Sequence, residues 1–245
     1  MAKKNVKNHK HRQKKTNNSN QTGLMTWTLV IILIACIGFI LYNAISGPNP
    51  KTAQVVNEEV FQYDQQPMLG SKDAPVRMVE FADFKCPSCK AFDQEIFPLI
   101  KKDFIDQGLV QFHFLNYPII TPNGDSRTAA IAGEAVYNQN PEEFWKYYET
   151  LFANQQDEKL NWATPGFLVQ IAKDANLNID FDKMKQDIEQ KAFEENVRTD
   201  MAIGNQVGVN GTPTIFINGK EIDIQDAFNY ETLKKIILQE KDNAQ

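Results

Sequence analysis

Two cysteines three positions apart, in Cys86-Pro87-Ser88-Cys89, sit where an apolar run gives way to helical spacing. Before them, Val76-Arg77-Met78-Val79-Glu80-Phe81-Ala82 is mostly apolar and β-branched, as a strand covered on both faces should be. After them, Phe92, Ile96, Phe97 and Ile100 recur at helical intervals. The pattern predicts a strand, a tight turn and a helix whose first turn carries both sulfurs. Such a pair can close a small disulfide ring. A helix start has free backbone N–H groups and a partial positive charge, which favour the thiolate of the first cysteine. Cys86 is therefore expected to be the more exposed sulfur and to have the lower pKa. A dithiol with a stabilised thiolate is a poor reductant, and its disulfide is a good oxidant.

Around this core the elements alternate and then change character. The helix after Cys86 is expected to run to about Asp106, kinked at Pro98 and ended by Gly108. Residues 109–115 read as the next strand, which makes a right-handed βαβ unit with parallel strands. From about Asp125 to Val207 the spacing is helical throughout. Asp125 or Ser126 can cap the first of these helices, and Pro141, Thr164-Pro165 and Asp180 mark three further starts. A last helix of this block covers 194–207. Strands return at 214–217 and 220–222 around an Asn218-Gly219 hairpin turn, and a helix at about 228–241 closes the chain. Trp145, Tyr147, Tyr148, Trp162 and Phe167 read as helical core. His113 reads as a packed strand residue with no role.

The first fifty residues are different. They hold seven Lys and Arg residues, all within the first fifteen positions, and no Asp or Glu. The remainder is strongly acidic, which argues against a nucleic-acid partner. Residues 24–42 carry no charge, and nineteen such residues in a helix span the apolar layer of a bilayer. Trp27 and Tyr42 fall near its ends. The expected reading is a basic, disordered tail (1–23), a signal anchor (24–42) and a tether (43–66) in which Val55, Val56, Val60 and Phe61 can pack as a short strand or a turn of helix, with the N-terminus in the cytoplasm. Removal as a signal peptide and lipid attachment at Cys36, in Leu33-Ile34-Ala35-Cys36, are the alternatives. With Cys36 in that segment, only Cys86 and Cys89 remain for the body of the chain, together with one His. That inventory excludes zinc sites of four cysteines or of two cysteines and two histidines.

Glu80-Phe81-x-x-Phe84-x-Cys86-Pro87-x-Cys89 and, much later, Val209-Asn210-Gly211-Thr212-Pro213-Thr214 resemble the DsbA family of thiol-disulfide oxidoreductases. In plan the chain is closest to the membrane-anchored BdbD-type members of Gram-positive bacteria. The likeness covers about residues 60–240. It implies an α/β, thioredoxin-like fold (67–124 and 194–245) with an inserted helical domain (125–193), preceded by one transmembrane helix. By resemblance Cys86 is the nucleophile and Cys89 the resolving partner. Pro213 is a cis-proline facing them, and Thr212 offers its backbone to an extended substrate. Glu80 is a buried acid that exchanges a proton with Cys89. Pro87, Ser88, Thr212 and Pro213 would line the substrate contact. The implied activity introduces disulfides into unfolded exported proteins. It needs no cofactor beyond the Cys86–Cys89 disulfide itself and no metal. A DsbB-like, quinone-reducing membrane protein would reoxidise the pair. A reductase or isomerase, for example in cytochrome c maturation, and a non-catalytic chaperone module are the competing readings. Ser88 stands where many enterobacterial members carry His, so a weaker oxidant is expected. Chemistry independent of the likeness points the same way. Pro87 stiffens the turn, the Ser88 hydroxyl can reach the Cys86 thiolate, and a Glu in an apolar strand has a raised pKa suited to proton transfer.

Overall fold

The computed structural model describes residues 29–39 and 55–244. Residues 29–39 are helical (α1), with exposed side chains. The expected tail (1–23), both ends of the expected membrane span and the first part of the tether lie outside the described residues. Among the described residues no helix is long and apolar enough to cross a membrane.

Five strands form one mixed sheet in the order β1-β3-β2-β4-β5. They are β1 (Met68–Leu69), β2 (Val76–Ala82), β3 (Val110–Asn116), β4 (Thr214–Ile217) and β5 (Lys220–Ile222). The central strand β2 pairs parallel with β3 and antiparallel with β4, so Glu80 lies between Phe114 and Ile215. Alternation along these strands separates two cores. Val76, Met78 and Ala82 face one side with Phe112, Phe114, Ile215 and Ile217, and the inserted helices share that core. Val79, Phe81, Leu115 and Phe216 face the other, against Phe61, Tyr117 and Ile203.

The active-site helix is broken where Pro98 removes an N–H. α2 (Pro87–Glu95) and α3 (Phe97–Ile100) meet at Ile96, and a π-turn (Lys101–Ile105) completes the rod near Asp106. The helical block is α4 (Asp125–Gln139), α5 (Pro141–Ala153), α6 (Pro165–Asp174), α7 (Phe181–Glu189) and α8 (Glu194–Gln206). Asn140, Thr164 and Asp180 cap α5, α6 and α7 through their side chains. The start of α4 departs from expectation. Gly124, not Asp125 or Ser126, is its N-cap, and the Thr121 hydroxyl accepts from the Ser126 N–H at 2.9 Å. Asp125 is diverted to Lys85, as described below.

At the start of the domain, the part of the expected tether with packing side chains does pack: Val55 bridges Lys220, the Val56 N–H donates to the Gly219 carbonyl at 2.8 Å, and a 3-10 turn (Glu58–Phe61) buries Phe61 fully. At its end the expected terminal helix (228–241) is α10 (Tyr230–Asn243), started by the Asn229 side chain, which accepts from the Thr232 N–H, and a short helix that the sequence did not suggest, α9 (Ile224–Ala227), precedes it. Asn218 and Gly219 both have positive φ, as a two-residue hairpin turn demands.

Polar groups tie the helical block to the sheet. The Asn116 side chain donates to Glu134 at 2.7 Å and to Asp200 at 3.2 Å, and its N–H donates to Asp200 at 3.0 Å. Burial first, and then their closeness, hold Glu134 well above the usual carboxylate range. α8 also carries the segment that leads to Pro213. The Tyr117 hydroxyl lies 2.7 Å from Asn205 Oδ1 and 2.9 Å from the Val209 carbonyl, and the Tyr117 ring rests on Gly204. A Cβ at Gly204 would stand 2.6 Å from that ring. Gly204→Ala is therefore expected to destabilise the protein by about 1–3 kcal/mol, read from urea unfolding, because the ring is pinned at its hydroxyl end and cannot yield.

Candidate active site

Cys86 is the N-cap of α2 and Pro87 its first residue, where a missing N–H costs the helix nothing. The structure holds both cysteines as free thiols. Cys89 is completely buried one turn in, while Pro87 and Ser88 are exposed. Cys86 is only 6 % exposed, much less than its place at the helix start predicts. The loop before β4 covers it: the Thr212–Pro213 peptide bond is cis, and the Cys86 Sγ lies 3.3 Å from the Thr212 carbonyl.

Charge at this pair is unequally shared. The Cys86 pKa is lowered to about 6, chiefly because the Cys89 thiol hydrogen-bonds to its sulfur. Burial opposes the shift, and Thr212 and the N–H groups of Cys89 and Ser88 add to it. Ser88 contributes here through its backbone. Cys89 is pushed well above the ordinary thiol range, first by burial and then by its donation to Cys86 and by the charges of Cys86 and Glu80.

Glu80 lies beneath Cys89 and is fully buried. Burial raises its pKa to about 8, while a hydrogen bond from the Tyr148 hydroxyl to Oε2 at 2.8 Å works against the rise. Its Oε1 has no partner among the described residues. At neutral pH the site therefore combines a thiolate at Cys86, a thiol at Cys89 and a protonated carboxyl below them. That set can exchange a disulfide and move the accompanying proton.

The family model described as Thioredoxin matches residues 62–239. A probable disulfide bond formation protein D of Bacillus anthracis is 35% identical over 222 residues, covering 91% of this chain and 97% of its own. The disulfide bond formation protein D of Bacillus subtilis is 41% identical over 175 residues, covering 71% of this chain and 77% of its own. This chain belongs to the thioredoxin-like family of disulfide bond formation protein D. The crystal structure of oxidised BdbD from Bacillus subtilis superposes with a TM-score of 0.70 at 38% identity, covering 78% of this chain and 97% of that one. This BdbD-family protein is a protein-disulfide oxidoreductase of the DsbA type.

Of the residues singled out from the sequence, Pro87, Ser88 and Cys89 lie on the first turn of α2 behind its N-cap Cys86, the Thr212 carbonyl touches the Cys86 sulfur just ahead of cis-Pro213, and Glu80 is buried in β2 close enough for its charge to act on both thiols. Several others escaped that reading. Tyr148, read as helical core, bonds Glu80. Asp93, on the buried side of α2, is raised to about 7 by burial and by the Glu149 charge. Lys85 is 1 % exposed beside the nucleophile and donates to Asp125 at 2.6 Å and to the Leu160 carbonyl at 2.8 Å. A lone Lys or Tyr has no periodic signature, so only the packing of the inserted helices against the sheet reveals these partners. Among the described residues no group of three or more His, Cys, Asp or Glu side chains is placed to hold a metal ion.

The buried carboxyl carries a stability signature. Its folded pKa of about 8 lies above the ordinary 4.5, so the folded state keeps a proton that the unfolded chain releases. Stability contributed by Glu80 is complete below pH 4.5 and is lost as pH rises toward 8. Glu80→Gln should therefore gain stability over the natural protein progressively across that window. Urea titrations of the oxidised proteins, in which neither active-site cysteine titrates, check the sign.

Proposed function

We propose that this oxidoreductase works outside the cytoplasm and introduces disulfides into exported proteins through Cys86-Pro87-Ser88-Cys89. The observation that carries the reading is the unequal pair: a Cys86 pKa of about 6 above a buried Cys89 held as a thiol. Stabilising the Cys86 thiolate stabilises the reduced enzyme, so the oxidised enzyme readily gives up its disulfide.

In the forward cycle a client thiolate attacks the Cys86 sulfur and breaks the Cys86–Cys89 bond. Cys89 leaves with the electron pair and takes a proton from the Glu80 carboxyl, whose raised pKa keeps it loaded at neutral pH. A second client thiolate then attacks the client sulfur of the mixed disulfide. Cys86 leaves as the stabilised thiolate, and the client departs with a new disulfide. Thr212 and Pro213 border the sulfur, and with the exposed Pro87 and Ser88 they form the surface against which an extended client lies. The disulfide itself carries the electrons, and no organic cofactor takes part.

The charge-free segment 24–42 and the basic residues before it support a single-pass anchor with the catalytic body outside the cell. A DsbB-like membrane oxidase that passes electrons to quinone is the partner that would restore the disulfide. Cleavage of the segment, or lipid attachment at Cys36, would change the anchorage and not the chemistry.

Reduction potential against glutathione, measured across pH, tests the direction. The couple exchanges two electrons and two protons below the Cys86 pKa, and one proton above it. The potential should fall by about 59 mV per pH unit below pH 6 and by about 30 mV above it. At pH 7 it should lie above the thioredoxin value of about −270 mV, on the side of the DsbA value of about −120 mV. A value at the thioredoxin end with no break near pH 6 would instead assign the protein to reduction. Cys86→Ser should abolish oxidation of a reduced client in either case, whereas a chaperone module would survive it.

A further inference from the structure

We infer that Gln155, on the loop between α5 and α6, is a positioning residue for the Cys86 sulfur, so that the helical insertion sets the reactivity of a cysteine it does not carry. This rests on Cys86 being the nucleophile.

The loop reaches the active site through one side-chain amide. Gln155 Nε2 donates to the Phe84 carbonyl at 2.8 Å and to the Cys86 carbonyl at 3.0 Å. Those two carbonyls flank the last peptide units before α2. The same turn is closed from inside, where the Cys86 N–H donates to the Asp83 carbonyl at 2.8 Å and the Lys85 N–H to the Asp83 side chain at 2.8 Å. The Cys86 carbonyl also accepts the first bond of α2, from the Lys90 N–H at 3.2 Å, so Gln155 shares it with the helix. The Phe84 carbonyl lies before the helix, and there the side-chain bond comes from Gln155.

Two lysines hold the loop in place. Lys90, on α2, donates from Nζ to the Gln155 carbonyl at 3.3 Å. Lys85 Nζ donates to the Leu160 carbonyl at 2.8 Å and to Asp125 at 2.6 Å, and Asp125 accepts in turn from the Ala163 N–H at 3.1 Å. Residues 155 to 163 are thus fastened at both ends to the segment that bears Cys86. The position fixed in this way keeps the sulfur in reach of the N–H groups of Ser88 and Cys89. Without Gln155 the Phe84 carbonyl is released and the Cys86 carbonyl keeps only its helical bond, so the peptide units between them can shift and the sulfur moves relative to those N–H groups.

Gln155→Ala removes both donors, and Gln155→Met removes them while keeping most of the side-chain volume. The full-length variants are alkylated with iodoacetamide across pH, and modification of Cys86 is followed by mass spectrometry. Both variants should titrate at Cys86 about half a unit higher than the natural protein, a fall of about threefold in the thiolate-to-thiol ratio. Gln155→Met titrating with the natural protein overturns the inference, since packing alone would then suffice. Coincidence of all three curves overturns it equally. A natural protein whose Cys86 titrates like a free thiol is a different failure: it removes the thiolate reading beneath, and this one with it. If the alanine variant folds poorly, the methionine variant decides.

Discussion

A carboxyl group buried in the middle strand of the sheet restricts where negative charge can go. Glu80 has one hydrogen-bond partner, Tyr148, and lies under a sulfur that is itself out of contact with water. An ionised carboxylate there would face a large desolvation penalty, so the proton stays on at neutral pH. The Cys89 thiol is subject to the same penalty and adds its own hydrogen bond to Cys86. One negative charge remains affordable, and the start of α2 is the place that accommodates it, with N–H groups and little competing charge. The division of labour between the two cysteines follows from this exclusion as much as from their positions on the helix.

The inserted helices are part of the same electrostatic unit. Tyr148 comes from α5, Asp125 from α4 and Gln155 from the loop beyond α5, and each contacts a group within a few residues of the redox pair or directly below it. A buried Lys–carboxylate pair adds little net stability, but losing one partner strands the other. Lys85 and Asp125 therefore act as a lock between insertion and sheet. The shared apolar core, in which Phe84 packs against Phe114, Tyr148 and Phe152, supplies most of the adhesion.

Local chemistry was legible in the amino-acid sequence wherever it is written over a few consecutive residues. The Cys86–Cys89 turn, the Pro141, Thr164 and Asp180 helix starts and the Asn218-Gly219 hairpin all have short-range signatures. The two-residue strand β1 has none, because its stability comes from pairing with β3, and the valines and Phe61 at 55–61 show that something packs there without showing that β5 and the second core are what they pack on. Asp125 shows the limit well. Its type and place suit a cap, yet a buried lysine forty residues earlier in the chain claims its carboxylate. The resemblance brought Thr212 and Pro213 to the pair from the far end of the sequence, but how nearly they close over Cys86 has no local signature.

The seam at Val55 and Val56 has a consequence for an enzyme whose substrates are other proteins. The outer side of β5 is a row of backbone groups open to any extended polypeptide, and such margins recruit strands indiscriminately. Val55 and Val56 are sewn along the start of that margin, and the hairpin glycine is in contact there: a Cβ at Gly219 would stand 2.5 Å from the Val56 carbonyl. At the opposite margin β1 is only two residues long. A visiting polypeptide is thus offered little of a ladder at either margin, and the cysteine pair is left as the place for it to settle.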